Sequence, residues 1–152
     1  MNHKKAMKKK KLYTILAFIM FIGFLNAQTD NKPKEWTPLK NKNGVSISYK
    51  YTDCNMKIGY DKEMVLLRFK NESNDKKVLN WHMKRWRGGK CTTCDKNGEY
   101  KFQLKLPANK TVQGNCKIGG DSRLRVFSKF IGEGADQAKE LEKFKLANLN
   151  IK

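Results

Sequence analysis

Three groups of residues in this 152-residue chain have side chains and spacings suited to chemistry. Cys91-Thr92-Thr93-Cys94 has the spacing of a redox-active dithiol or of half a zinc site, and Cys54 and Cys116 complete an even set of cysteines. His82 is a conceivable general base. Lys84-Arg85-Trp86-Arg87-Gly88-Gly89-Lys90 sets guanidinium groups beside an indole, a combination suited to phosphates, sulfates and the faces of sugars or bases. Lys96 continues this basic stretch, and Lys117, Arg123 and Arg125 are candidates to strengthen the same field.

Each group has a stricter requirement than its residue types. A thiol–disulfide enzyme needs a thiolate of lowered pKa, usually at a helix N-terminus within a βαβ frame. Here Gly88-Gly89-Lys90 precedes the pair and Asp95-Lys96-Asn97-Gly98 follows it, which reads as a hairpin loop. A four-cysteine zinc site needs two close pairs, and only one C-x-x-C is present. His82 lies on the polar phase of its run, where a solvated strand residue is expected, and no nucleophile motif such as G-x-S-x-G accompanies it. Gly119-Gly120 and Gly132-Glu133-Gly134 lack phosphate-loop spacing. No set of residues with assignable catalytic roles emerges, so the sequence favours a binding protein without catalysis, cofactor or metal.

The N-terminus sets the compartment in which these groups would work. Six lysines and no acid occupy the first eleven residues, an apolar run extends from Leu12 to Leu25, and Leu25-Asn26-Ala27 ends on a small residue. These are the three parts of a secretory signal, and the apolar run is shorter than the roughly 18 residues that suggest a membrane-spanning helix. Residues 1–27 are read as a signal peptide, 28–35 as a flexible lead-in, and 36–152 as one domain. Removing the six signal lysines takes the formal charge from +19 to +13. That excess draws a protein toward anionic surfaces in a salt-sensitive way. For a periplasmic or extracellular protein the expected partners are an anionic envelope polymer, lipid head groups or an acidic protein. Nucleic acid does not fit the compartment, and a monomer is expected. An inhibitor or immunity-type role against a secreted enzyme is a further alternative.

Period-two alternation dominates from residue 45 onward. Val45–Tyr51, Val65–Phe69, Leu79–Met83 and Tyr100–Leu106 alternate apolar with polar residues, as half-buried antiparallel strands do. Thr111–Cys116, Leu124–Ile131 and Phe144–Ile151 are less regular, and the last two suggest bulges. Asp136–Glu142 is a candidate for one or two helical turns, capped by Asp136. Asn41-Lys42-Asn43-Gly44, Gly88-Gly89 and Asn97-Gly98 supply turn chemistry between runs. About seven short strands at this spacing, with Trp81 buried in the third, resemble an immunoglobulin- or fibronectin-like β-sandwich. The Cys…Trp…Cys spacing of true immunoglobulin domains is absent, and a small β-barrel is the rival architecture.

If consecutive strands run up and down, Cys54, Cys91, Cys94 and Cys116 gather at one pole. An oxidising compartment favours disulfides there, with Cys54 joined to one member of the C-x-x-C pair and Cys116 to the other preferred over Cys91–Cys94 with Cys54–Cys116. The exported protein is expected to begin at Gln28, free or cyclised to pyroglutamate, and to carry no free thiol. Non-reducing peptide mapping by mass spectrometry reads both. A peptide retaining the Leu12–Leu25 run would contradict cleavage.

Overall fold

The computed structural model describes residues 32–55, 59–96, 98–132 and 139–152, most of them in strands. In chain order the strands are β1 (Thr37–Lys42), β2 (Val45–Cys54), β3 (Asp61–Asn71), β4 (Lys77–Arg87), β5 (Lys90–Cys91), β6 (Lys101–Leu106), β7 (Thr111–Gln113), β8 (Arg125–Ile131) and β9 (Lys143–Ile151). A single 3₁₀ turn, Ser122–Leu124, precedes β8. All pairings are antiparallel, and they build two sheets.

In the first sheet β1, β2 and β3 form a meander, and the far edge of β3 is shared by two strands in succession. Arg68–Lys70 pair with β7, and Asp61–Leu66 pair with β8. In the second sheet β4 takes part in every pairing: β9 lies along one edge, β6 along the other, and β5 closes a hairpin at its end. The inward rows meet in one core. Phe69 of β3 stacks on Trp81 of β4 with centroids 5.2 Å apart, and Tyr49 of β2 meets Phe144 of β9 edge-on at 5.3 Å. Val45, Val65, Leu67, Leu79, Met83 and Leu106 are fully buried among them.

The seven alternating runs of the sequence all appear as strands. Two strands went unread. β1 carries a bulge and Pro38, features that blunt an edge strand and erase its alternation. β5 is only two residues long. Both belong to two-residue hairpins, closed by Asn43-Gly44 and Gly88-Gly89, whose φ angles are all positive as a type I′ turn requires. The irregular runs do contain bulges. Ser128 is skipped in the β3–β8 register, and the β4–β9 register shifts between Ala147 and Asn150, where Asn148 has φ 54°. Asp136 lies outside the described residues, and Lys139–Glu142 is not helical.

The disulfide pairing corrects the favoured expectation. Cys54 joins Cys116, and Cys91 joins Cys94, with Cα separations of 5.3 and 5.6 Å. Cys54 and Cys116 belong to the first sheet and its connections, whereas Cys91 and Cys94 belong to the second. A disulfide needs Cα atoms within about 7 Å, and placing four cysteines at one pole does not by itself say which of them come that close. The longer bridge closes 62 residues of sequence and is worth about 4 kcal/mol on loop-closure entropy, against about 2 kcal/mol for the short one.

The lead-in is also tied down where it is described. The Tyr51 amide donates to Pro33 O at 2.7 Å, and Lys32 Nζ lies 2.7 Å from Glu63 Oε1. Glu63 is the first buried residue of β3 and is 2% exposed. Ser128 Oγ, wholly buried at the β8 bulge, donates to it at 2.8 Å, and Lys34 Nζ approaches at 3.5 Å. Burial works to raise the Glu63 pKa. The hydrogen bonds from Lys32 and Ser128, and the charges of Lys32 and Lys129, outweigh it and hold the carboxyl below its usual range. A carboxylate whose pKa falls on folding stabilises the native state above its unfolded pKa, about 4.3, and loses that contribution as pH falls through the folded value. Glu63→Gln should therefore lower the urea midpoint at pH 7, and the difference from the parent should shrink below about pH 4. An equal loss at both pH values would contradict this.

Candidate functional site

The basic stretch falls on β4, and strand alternation divides it. Leu79, Trp81 and Met83 face the core, so Arg85 and Arg87 continue the inward phase while Lys84 and Trp86 take the outward one. The Arg85 guanidinium lies over the Tyr100 ring, 4.8 Å from its centroid. Its Nε is buried without a hydrogen-bond partner among the described residues, and burial together with the nearby Arg87 charge lowers its pKa. Arg87 reaches across to the outer edge of β8. Its Nη1 donates to Ser128 O at 2.7 Å and to Lys139 O at 2.6 Å, its Nη2 donates to Phe127 O, and the group sits over the Phe127 ring. Phe127 and Ser128 lie at the bulge of β8, whose only strand partner is β3, and Ser128 O also accepts from the Leu141 amide at 3.1 Å. Arg87 is thus a structural bolt between the sheets, and neither arginine is presented to an external anion.

The C-x-x-C loop also turns inward. The β6 ladder along β4 ends where the Met83 amide donates to Tyr100 O. Beyond that point Thr93, 3% exposed, takes the place of a strand: its hydroxyl donates to Met83 O and accepts from the Arg85 amide, both at 2.9 Å. The Cys91–Cys94 bridge holds the four-residue turn that presents this hydroxyl. Thr93 O accepts from His82 Nε2 at 3.0 Å, which fixes the proton on that nitrogen. His82 is only 6% exposed, so the expectation of a solvated histidine is corrected: it has the outward phase but is roofed by the loop. No thiol is free, and no cluster of three or more metal-ligating side chains occurs among the described residues.

What remains of the stretch on the outward phase or beyond the strand is Lys84 and Trp86, both half-buried, with Lys90 and Lys96 exposed. Pairing with the neighbouring strands adds lysines that the sequence analysis had not grouped with them. Lys145 lies directly opposite Lys84, and Lys143 directly opposite Trp86, with its Nζ 5.2 Å from the indole centroid. On the other side Lys101 faces His82 and Lys105 faces Val78. No outward position on β4, β6 or β9 carries an acid, and none of these five lysines forms a salt bridge among the described residues. The period-two pattern Lys143-Phe144-Lys145-Leu146 showed that β9 exposes lysines. Their position beside Lys84 depends on a pairing between residues some sixty apart, which local sequence does not reveal.

Of the three outlying cations, only Arg123 touches this sheet, donating to Gln103 O on β6. Arg125 donates to Lys117 O at 2.9 Å beside the first sheet, and Arg123 is held by Asp121 through Nε and Nη2, which lowers the Asp121 pKa. No protein-family model, curated protein or solved structure matches the chain.

Because Arg87 donates to the carbonyls of Phe127, Ser128 and Lys139 and ties β4 to β8, Arg87→Ala should cost about 2–4 kcal/mol, read as a shift in the denaturant midpoint. Arg87→Lys should recover less than half of that, since an ammonium cannot bridge three carbonyls in one plane. Full stability in Arg87→Ala would contradict the structural role.

Proposed function

We propose that the chain is an exported, non-catalytic binding protein that presents the outer face of its β6–β4–β9 sheet to a polyanion of the cell envelope, one displaying closely spaced phosphate, sulfate or carboxylate groups. The observation that carries this reading is the direct opposition of Lys84 and Lys145, with Lys143 and Trp86 as the next pair and no acid between them. Like charges directly opposite across two strands are destabilising, so a face that concentrates them gains from an anionic partner. Trp86 adds a flat apolar surface beside the cations, suited to a sugar face or a lipid interface.

Export rests on the N-terminal signal pattern, and two disulfides with no free thiol suit an oxidising compartment. The immunoglobulin-like reading of the sandwich is supported by its connections: the chain changes sheets from β3 to β4, from β6 to β7 and from β8 to β9, around central strands β3 and β4. Among the described residues no helix is long and apolar enough to cross a membrane.

Binding of the exported chain to phosphatidylglycerol vesicles and to an acidic polysaccharide, titrated against salt, tests the proposal. Affinity should fall steeply with ionic strength. Lys84→Glu with Lys145→Glu should weaken it by at least about tenfold, given roughly 1 kcal/mol per lysine at an anionic surface. Binding unaffected by both salt and the double substitution would overturn it.

A further inference from the structure

The outer face of the first sheet carries a second, chemically different feature. The connection from β7 to β8 folds back over this face and is tethered to the end of β2 by the Cys54–Cys116 bridge. Gly114 permits the return, since a Cβ there would lie 2.2 Å from Leu124 O. Between the tethered segment and the sheet lies a cleft of about 340 Å³, with the disulfide as part of its wall. Its floor is apolar: Met64 on β3, and Phe127 and Phe130, which the β8 bulge brings together with centroids 4.7 Å apart. Ile118 overhangs it, 73% exposed, and Tyr60, 47% exposed, packs edge-on against Phe130. Of the three large apolar side chains exposed among the described residues, two therefore flank this one cleft.

Two cations complete the lining. Lys62 Nζ lies 5.7 Å from the Phe130 centroid, and Arg125 commits Nη1 to Lys117 O while its other N–H groups bond to no described residue. Neither forms a salt bridge among the described residues, and Asp121, within the field of Arg125, is already held by Arg123. An apolar floor with two cations that form no salt bridge among the described residues is complementary to a ligand that is apolar along its length and anionic at one end. The volume falls at the small end of the ~300–1,000 Å³ typical of small-molecule sites.

We propose that this cleft binds a small amphipathic monoanion. Its acyl or aromatic body rests on Met64, Phe127 and Phe130, and its carboxylate is held by Lys62 and Arg125. The site is on the opposite sheet from the lysine face and does not depend on it. Isothermal titration of the exported chain with octanoate should show saturable binding of one ligand per chain, with acetate and 1-octanol at least about tenfold weaker, because each lacks one half of the recognition. Ile118→Asp and Lys62→Glu, both surface changes compatible with folding, should each weaken octanoate about tenfold or more. Lys84→Glu with Lys145→Glu should leave octanoate binding unchanged, so loss of vesicle binding in that variant reports on the lysine face alone. Non-saturating octanoate binding, acetate binding as tightly as octanoate, or parental affinity in both cleft variants would overturn the proposal.

Discussion

The contact on which this architecture depends is the Arg87 guanidinium against the carbonyls of Phe127, Ser128 and Lys139. The bulge at Ser128 interrupts the β3–β8 ladder at the pole where the sheets close, and backbone acceptors that a ladder leaves over need donors from elsewhere. A planar cation with donors along two edges can satisfy several of them at once, and the phase of β4 delivers one from the second sheet. Strand alternation then settles the rest of the basic stretch. If Arg87 points inward, Arg85 does too, and Lys84 and Trp86 must point out.

The same pole shows how a β-protein manages polar groups that its ladders leave over. Glu63 begins the buried row of β3 and is neutralised by Lys32 and bound by Ser128. Asn71 ends that row at the opposite pole, its side chain donating to Asp75 O and Pro107 O and accepting from the Ser73 amide. Thr93 extends the β6 edge of β4 by two hydrogen bonds that no strand supplies. The exposed end of β9 is treated in kind, since Lys42 and Asn43 donate to Leu149 O and Ile151 O. Except at Glu63, each device uses a side chain to finish a backbone ladder, and among the described residues no α-helix covers the sheet edges.

Legibility in the sequence followed the range of the interactions. Alternation of two residues is a local property, so the seven main strands, the buried Trp81 and the bulges near Phe127 and Asn148 could be read directly. β1 was hidden because Pro38 and a bulge remove the alternation, and β5 because two residues carry no period. The cysteine pairing was misjudged because an up-and-down count locates a pole but not a sheet. His82 was misjudged because phase gives direction, whereas exposure depends on a loop ten residues onward. Lysines 143 and 145 were visible as exposed residues, yet their opposition to Trp86 and Lys84 is non-local. The run Lys84–Lys90 attracted attention as a basic cluster, and alternation then assigned its two arginines to the interior.

The central claim is therefore the division of β4 into an internal arginine row and an external lysine–tryptophan row. Covalent labelling of the native protein, with an arginine-specific dicarbonyl and a lysine-specific acylating reagent read by peptide mass spectrometry, tests it directly. Lys84, Lys143 and Lys145 should label rapidly, while Arg85 and Arg87 stay protected until the protein is unfolded in denaturant. Labelling of Arg87 at the rate of an exposed arginine, with the fold intact, would contradict the account.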